Sequence, residues 1–226
     1  MFAPSVPSRK RTIIEAIAND KPAILQVNDL CFRIPERTLF SNFTARIPAG
    51  VTLVCGAEGS GKSALLRLLA GASLADAGDL TLNAANLREQ PAAYRRQVFW
   101  MDPRSDAFDQ VTVDDYFKSL PRRHPQFDEH VLAGAITGLS LAPHLAKQLY
   151  MLSTGSKRKV WLAAAFASGA TATFLDEPFA ALDKASIGFV LKRLEQAASD
   201  SSRAWIIANY EAPGEVPLAA IIDLGD

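Results

Sequence analysis

Residues 56–63 have the types and the spacing needed to hold a phosphate group. The segment matches the pattern G-x-x-x-x-G-K followed by Ser or Thr, with the residues Gly56, Ala57, Glu58, Gly59, Ser60, Gly61, Lys62 and Ser63. Glycines let the backbone turn so that consecutive N–H groups point at phosphate oxygens, and a helix that begins here adds its positive N-terminal end. We expect all eight residues to bind the phosphates, the Lys62 ammonium to bridge the β- and γ-phosphates, and the Ser63 hydroxyl to ligate Mg²⁺.

Two adjacent carboxylates, Asp176 and Glu177, follow the apolar run TFL. Asp176 is suited to hold Mg²⁺ directly or through water, and Glu177 is suited to polarise a water for in-line attack on the γ-phosphate. An acidic pair at a strand end is more often a helix cap, but its place downstream of a phosphate loop favours the catalytic interpretation.

These residues need a sheet that brings strand ends together, and the surrounding pattern predicts one. The run VTLVC before the phosphate loop is typical of a strand buried on both faces, and ALLRLLAG after it is typical of a buried helix. Further strands are predicted over 98–101, 173–175, 205–208 and 219–222. Strands that alternate with helices predict an α/β fold with a mostly parallel sheet.

Three other regions complete the predicted organisation. Residues 1–22 are predicted to form a tail with a short helix, in which Ile13, Ile14 and Ile17 share one face and Thr12 and Glu15 have capping-box spacing. Residues 23–226 form the main domain, which opens with a pair of strands from about residue 24 to 47. Residues from about 104 to 160 are rich in helical patterns and predict a separate helical lobe.

Amino-acid composition and charge exclude several classes of protein. Hydrophobic residues make up 49% of the 226 residues, which excludes disorder as the main state. The formal net charge is +0, so no chain-wide basic field for nucleic acid exists and no nucleic-acid partner is expected. No segment is apolar enough to span a bilayer and no signal peptide is recognised, so we expect a cytoplasmic protein.

The segment LSTGSKRK at residues 152–159 resembles the signature of the ATP-binding cassette (ABC) family, L-S-x-G-x-x-x followed by Arg or Lys. The order of phosphate loop, signature, acidic strand and the Asp183 loop also resembles that family, from about residue 24 to the C-terminus. The resemblance implies a P-loop NTPase fold with a RecA-like parallel-sheet core, an antiparallel β-subdomain and a helical lobe. The segments DEPFAALDK and TLFSNF are similar to small exporter-type subunits, including haem exporter ATPases.

The resemblance also implies activity and partners. ATP and Mg²⁺ would bind at the phosphate loop, while Ser153 and Gly155 would meet the γ-phosphate held by the opposite subunit of a homodimer or of a heterodimer with another ABC ATPase. ATP hydrolysis would drive a separate integral-membrane permease, and the chain would sit peripherally on the inner face of the cell membrane through that permease. The alternative is a soluble or regulatory ATP switch with weak or no hydrolysis, not coupled to transport.

Two positions depart from the family at residues with catalytic roles. Asp102 occupies the place of the Q-loop glutamine and is predicted as a Mg²⁺ ligand, although Gln97 or Gln110 would take that role in a slipped alignment. Asn209 occupies the place of the switch histidine; it can donate a hydrogen bond to the γ-phosphate but cannot carry charge. The hypothesis is therefore that turnover is slow, or that the chain works beside a subunit that supplies a better site.

Smaller differences from the family occur at the position that stacks on adenine and in the signature. The aromatic residue that stacks on adenine aligns with Ile34; Phe32 lies nearby on the same strand face but is better explained as a core residue. Thr154 and Ser156 replace the usual Gly and Gln of the signature, and Lys159 replaces Arg.

Overall fold

Two sheets carry the fold of residues 13–16 and 22–225, which are the residues that the computed structural model describes. One sheet has six strands and the other has four. The ten strands in chain order are β1 (Ile13–Ala16), β2 (Ala23–Ile34), β3 (Arg37–Pro48), β4 (Gly50–Cys55), β5 (Ala77–Leu82), β6 (Ala85–Asn86), β7 (Val98–Trp100), β8 (Ala172–Asp176), β9 (Ala204–Ala208) and β10 (Leu218–Asp223).

The six-stranded sheet has the order β1-β10-β4-β9-β8-β7, and all its neighbouring pairs are parallel except β1 with β10. Strands β4, β8 and β9 are almost fully buried, as expected where both faces of a parallel sheet are covered. This confirms the predicted α/β core. The predicted strands after the phosphate loop all appear within a residue or so of their expected bounds.

The four-stranded sheet has the order β3-β2-β5-β6, and each neighbouring pair in it is antiparallel. The long β2–β3 hairpin confirms the strand pair predicted near the start of the main domain. Its inward side chains, such as Leu25, Val27 and Ile47, are fully buried against the rest of the domain. This sheet is the predicted antiparallel β-subdomain.

Six α-helices accompany the sheets: α1 (Lys62–Leu69), α2 (Pro91–Arg96), α3 (Val113–Ser119), α4 (Glu129–Gly138), α5 (Thr154–Ala167) and α6 (Lys184–Ala198). Between residues 101 and 153 the described structure contains helices, one-turn 3₁₀ helices and loops rather than strands. This segment corresponds to the predicted helical lobe, whose bounds of about 104 to 160 stay a prediction. Ser153, Asp128 and Asp183 cap the N-termini of α5, α4 and α6 with their side chains.

The two faces of the parallel sheet pack against different partners. Phe174 and Ile206 belong to a core with α1 and the antiparallel sheet, whereas Trp205 and Ile207 belong to a core with α5, α6 and the helical lobe. Alternate residues of one strand thus serve opposite faces, as the two-residue repeat of a strand requires. The sheet is therefore fixed from both sides and holds its strand ends in a defined row.

The predicted N-terminal helix is wrong over residues 13–16, which are the part of that segment that the structure describes. Residues 13–16 form strand β1, which pairs antiparallel with β10 and so closes one edge of the large sheet. Isoleucine is β-branched and favours strands, and the outer edge of β10 offers unpaired backbone groups. Thr12 and Ile17 lie outside the described residues, as do the rest of 1–12 and 17–21. The boundary at residues 22 and 23 stays a prediction.

Within the described part of the chain, every helix is too short or too polar to cross a membrane.

Truncation of Phe174 should test the core that positions β8. Its side chain is only 1% exposed, between the parallel sheet and α1. We expect Phe174→Ala to lower the free energy of unfolding by about 3–5 kcal/mol because it removes a buried ring and leaves a cavity. Urea unfolding followed by circular dichroism measures the change. Leu74→Ala is the control, because Leu74 is 80% exposed and its loss should cost less than about 0.5 kcal/mol. Equal effects of the two variants would contradict the assignment of this core.

Candidate functional site

The candidate residues lie at one edge of the large sheet because parallel strands end on the same side. The phosphate loop follows β4, Asp176 and Glu177 come at the end of β8, Asn209 follows β9 and Asp102 follows β7. These four strands occupy adjacent places in the order β4-β9-β8-β7. In open α/β sheets, ligands bind outside the carboxyl ends of such strands.

The phosphate loop turns sharply between β4 and α1. Gly56 and Gly61 have φ angles of +138° and +107°, a region that residues with a side chain rarely adopt. A Cβ at Gly56 would meet the Ser60 side chain and the Gly225 carbonyl oxygen at 2.8 and 2.9 Å. The loop therefore needs glycine at these positions. Ser60 also has a buried hydroxyl with no hydrogen-bond partner among residues 22–225, as expected where a ligand supplies the partner.

The Lys62 ammonium is held inside this loop. Nζ donates hydrogen bonds to the backbone oxygens of Gly56 and Ala57 at 2.7 and 2.9 Å, and it lies 4.2 Å from the centre of the Tyr210 ring. Lys62 is 7% exposed, so its charge lies in a partly water-excluded place. A phosphate oxygen that entered the loop would meet this cation together with the N-terminal end of α1.

The acidic pair lies beside the loop. Burial raises the pKa of Asp176 above its ordinary value, and the nearby Ser63 hydroxyl acts in the opposite direction. The Glu177 charge adds to the increase. Glu177 has a φ of +47°, and its N–H donates to the Ala208 oxygen of β9. The backbone strain and this hydrogen bond fix Glu177 at the strand end.

Asp102 lies near the pair but is already engaged. Its Oδ2 accepts a hydrogen bond from the Arg67 guanidinium at 2.7 Å, and its Oδ1 accepts one from the Arg104 N–H at 2.9 Å. Its charge is close enough to raise the pKa of Asp176, so it stands in the neighbourhood expected of the Q-loop residue. A role for Asp102 as a Mg²⁺ ligand stays a prediction.

The two glutamines proposed for a slipped alignment lie elsewhere. Gln97 precedes β7, at the opposite end of that strand from Asp102, and its amide contacts Asn83 and the Ala93 oxygen. Gln110 lies eight residues beyond Asp102, and its backbone oxygen accepts a hydrogen bond from Gln148. The position next to the acidic pair is therefore taken by Asp102.

Asn209 follows β9 directly, and its N–H donates to the Val54 oxygen at the end of β4. Its side-chain amide donates to the Glu211 oxygen at 2.8 Å. Asn209 is thus anchored between the phosphate-loop strand and the loop after β9. Its role toward the γ-phosphate stays a prediction.

Ser153 and Gly155 belong to the start of α5, and the hydrogen bonds given for Ser153 remain within that helix start. The exposed Ser153 caps the helix, and its Oγ accepts a hydrogen bond from the Ser156 N–H. Packing alone explains why glycine stands at position 155, because an added Cβ would collide with the Ala181 carbonyl oxygen. Lys159 pairs with Asp183, the cap of α6, so the helix start is tied to the Asp183 loop.

Three arginines near the site carried no recognised sequence signal. Arg67 pairs with Asp102, and Arg104 lies close enough to influence the pKa of Asp176. Arg37, at the start of β3, donates a hydrogen bond to the Gly59 oxygen of the phosphate loop. The contacts of these arginines join residues that are far apart in the sequence, so only the folded structure reveals them. The predicted base-stacking position, Ile34, precedes Arg37 on the same hairpin.

The donor set suits Mg²⁺ that also binds phosphate oxygens. No group of three or more His, Cys, Asp or Glu side chains placed to hold a metal occurs in the part of the chain with described side chains. Ser63 and Asp176 instead supply a hydroxyl and a carboxylate next to the loop, which are the hard oxygen ligands that Mg²⁺ prefers. The buried orphan hydroxyl of Ser60 is consistent with a polar ligand in this place.

Comparison with known proteins gives consistent matches. Residues 40–180 match the sequence pattern of the ABC transporter family. The chain is 34% identical over 167 residues to the cytochrome c biogenesis ATP-binding export protein CcmA of Pseudomonas savastanoi, covering 74% of this chain and 78% of that protein. It is 30% identical over 174 residues to the protein of the same name from Escherichia coli K12, covering 76% and 83%.

Solved structures share the fold. An ATP-binding subunit of an ABC transporter superposes with a TM-score of 0.73 at 20% identity, over 83% of this chain and 79% of that one. An ATP-binding protein of a putative ABC transporter from Pyrococcus furiosus superposes with a TM-score of 0.71 at 22% identity, over 88% and 96%. These similarities confirm the P-loop NTPase architecture.

Loss of the Lys62 ammonium should remove tight nucleotide binding. We expect Lys62→Ala to weaken the affinity for Mg-ATP by about tenfold or more, since the phosphates lose the one cation held inside the loop. Isothermal titration calorimetry measures the affinity. Lys118→Ala is the matched control, because Lys118 is exposed on α3 and pairs with Asp114. Undiminished affinity of Lys62→Ala would refute the phosphate-loop assignment.

Proposed function

Since this chain belongs to the ATP-binding domains of ABC transporters, we propose that it binds and hydrolyses ATP to drive a separate membrane permease. The observation that carries the proposal is the convergence of Lys62, Asp176 and Glu177 at the ends of β4 and β8, two parallel strands on either side of β9. That arrangement provides a phosphate cradle, a metal ligand and a base within one edge of the sheet.

The geometry supports a division of roles among these residues. The N–H groups of the loop and Lys62 would hold the phosphates, while Ser63 and Asp176 would hold Mg²⁺. The metal would neutralise charge that develops on the β- and γ-phosphate oxygens. Glu177 accepts the proton of the attacking water and directs the water toward the γ-phosphate. Its position is fixed by the strained backbone at the end of β8, so little reorganisation is needed during reaction.

We propose that a second ABC subunit completes the site. Ser153 and Gly155 begin α5, a separate element from the phosphate loop, and they present a helix N-terminus to an anion. Large apolar side chains stand exposed beside both halves: Tyr150 and Met151 before Ser153, and Tyr210 over Lys62. A head-to-tail dimer, homomeric or heteromeric, would cover these side chains and bury ATP between the subunits.

The proposal that ATP hydrolysis is coupled to transport rests on the similarity to known proteins. The curated proteins that resemble this chain are named as ATP-binding export proteins of cytochrome c biogenesis, which favours an export system for this chain as well. We therefore propose a peripheral location on the inner face of the membrane, through the permease. The competing proposal is an ATP-dependent switch that binds nucleotide without cycling, and it is favoured by the engagement of Asp102 with Arg67.

Replacement of Glu177 separates these proposals. We expect Glu177→Gln to lower the ATPase rate about 10²–10⁴-fold, or roughly 3–5 kcal/mol of barrier, while Mg-ATP binding persists, because the amide cannot accept the proton of water. Phosphate release by the purified chain measures the rate. Glu195→Gln, exposed on α6, should leave it unchanged. Full activity of Glu177→Gln would show that another group directs the water, and a wild-type chain that binds ATP without releasing phosphate would support the switch.

The loop after β9 offers a gain-of-function test. We expect Asn209→His to raise the ATPase rate about tenfold, since an imidazole can exchange a proton near the γ-phosphate whereas an amide cannot. The same phosphate-release assay applies, and Asn28→His, at an exposed position of β2, is the control. An unchanged rate for Asn209→His would remove Asn209 as the cause of slow turnover.

A further inference from the structure

The loop that follows the acidic pair has a strained backbone. It runs over residues 177–183, between the end of β8 and the start of α6, and it contains neither helix nor strand. Glu177 and Ala181 have φ angles of +47° and +59°, a region that residues with a side chain seldom adopt. Such a conformation persists only where surrounding contacts hold it. The contacts that hold this loop therefore also help to decide where the Glu177 carboxylate lies.

Two backbone hydrogen bonds close tight turns within the loop. The Ala180 N–H donates to the Glu177 oxygen at 3.1 Å, and the Leu182 N–H donates to the Phe179 oxygen at 3.3 Å. Both bonds join residues that are close in the sequence, so they bend the loop without attaching it to another element. The attachment of its middle and its end has to come from side chains elsewhere.

Three contacts attach the loop to the helix α5. The Arg158 guanidinium donates a hydrogen bond to the Ala180 carbonyl oxygen. The next carbonyl oxygen, that of Ala181, lies so close to Gly155 that no side chain fits there. Lys159 forms an ion pair with the residue that caps α6. Arg158 is thus the charged donor that reaches the middle of the loop, and hydrogen bonds from charged donors are stronger than those between neutral groups.

Arg158 also lies beside the acidic pair. It lines a small cavity together with Asp176 and Pro178, and eight of the ten residues that line this cavity are apolar. Burial lowers the pKa of Arg158, while the charges of Glu177 and Asp176 act in the opposite direction. A guanidinium keeps its proton in proteins, so this partly buried side chain remains a cation next to two carboxylates.

The charge of Arg158 is not taken up by a direct ion pair. None of the ion pairs within the described part of the chain includes Arg158. Its neighbours Lys157 and Lys159 are instead paired with aspartates. A partly buried cation is unfavourable unless its hydrogen bonds and its field stabilise nearby groups. The groups next to this one are the loop carbonyl and the acidic pair.

We propose that Arg158 is a positioning residue for Glu177. Its guanidinium holds the loop through the Ala180 carbonyl oxygen, and the held loop keeps the Glu177 carboxylate within reach of the attacking water. The inference rests on the proposed function, in which Glu177 accepts the proton of that water, and it adds the group that holds this base in place. A base contributes to the rate only when it lies within hydrogen-bond reach of the proton that it accepts.

Two other roles would use the same side chain. A purely structural arginine would change the stability of the fold and leave the catalytic step intact. An arginine that contacted the γ-phosphate itself would stabilise the transition state without the help of Glu177. The observed hydrogen bond goes to the loop, which favours the positioning role. The three roles predict different kinetics.

Neutral replacement of Arg158 in the full chain separates kcat from nucleotide affinity. We expect Arg158→Gln to lower kcat about tenfold or more in a phosphate-release assay, while the dissociation constant for Mg-ATP, measured by calorimetry, changes less than about twofold. Arg158→Lys keeps a cationic donor and should recover kcat to within about threefold of the wild-type value. Arg193→Gln is the matched control, with kcat within about twofold of wild type, because Arg193 is also partly buried but lies on α6 against Phe166.

A double-variant cycle tests whether Arg158 acts through Glu177. Addition of Arg158→Gln to Glu177→Gln should change the remaining single-turnover rate by less than about twofold, because the group that is positioned has already been lost. Losses that multiply would show that Arg158 acts independently and would overturn the inference. An unchanged kcat in Arg158→Gln, or a loss confined to Mg-ATP binding, would overturn it as well. Arg158→Met, which keeps the apolar stem, replaces Arg158→Gln in every measurement if the latter does not fold.

Amide hydrogen exchange of the nucleotide-free chain distinguishes this failure from failure of the proposed function, because it needs no ATP hydrolysis. We expect the Ala180 and Leu182 amides to exchange about tenfold faster in Arg158→Gln than in wild type, and at the wild-type rate in Arg193→Gln. If the wild-type chain releases no phosphate, the proposed hydrolysis is rejected, and faster exchange in Arg158→Gln still supports the hold on the loop, whereas equal exchange overturns it. If the wild-type chain hydrolyses ATP and Arg158→Gln has the same kcat, the positioning role alone is rejected.

Discussion

The structure depends on a single backbone constraint, which is the reversal of the chain between β4 and α1. The loop must keep its N–H groups free for an anion while a buried strand enters it and a buried helix leaves it. Gly56 and Gly61 make the turn possible, and the Lys62 ammonium donates hydrogen bonds to two carbonyl oxygens of the same loop. The loop keeps this form because β4 lies within the sheet, with β10 on one side and β9 on the other. Asp102, Asp176, Glu177 and Asn209 reach the same edge because β7, β8 and β9 run parallel to β4 in one sheet.

Charge balance around the acidic pair explains how the unusual Asp102 is tolerated. Three carboxylates, Asp102, Asp176 and Glu177, lie at the ends of the neighbouring strands β7 and β8, and burial raises the pKa of Asp176. Arg67 neutralises Asp102 through a hydrogen-bonded ion pair. Arg158 is close enough to interact with both members of the acidic pair. A glutamine at position 102 would need no such partner, so Asp102 and Arg67 are best understood as one coupled unit.

The sequence predicts the parts of the fold that have a local cause. Glycine spacing reveals the phosphate loop, and the apolar runs reveal β4, β8 and β9 to within one residue at each end, because strands buried on both faces have no polar alternation. The helix predicted around Ile13 is wrong because three isoleucines fit a helical face as well as an edge strand, and only the free edge of β10 decides between the two structures. The pairing of Arg67 with Asp102 and the contact of Arg37 with Gly59 join elements far apart in the chain, so no local pattern could predict them.

The ion pair between Asp102 and Arg67 ties the loop after β7 to the helix of the phosphate loop. After Trp100 the chain leaves β7, so residues 101–104 are held by side-chain contacts rather than by the sheet. Arg67 lies on α1, the helix that begins at Lys62, and the Asp102 charge acts on the pKa of Asp176. Since the ion pair is only partly buried, it adds little to the stability of the fold. Its main effect is therefore to fix the position of the Asp102 carboxylate beside the acidic pair.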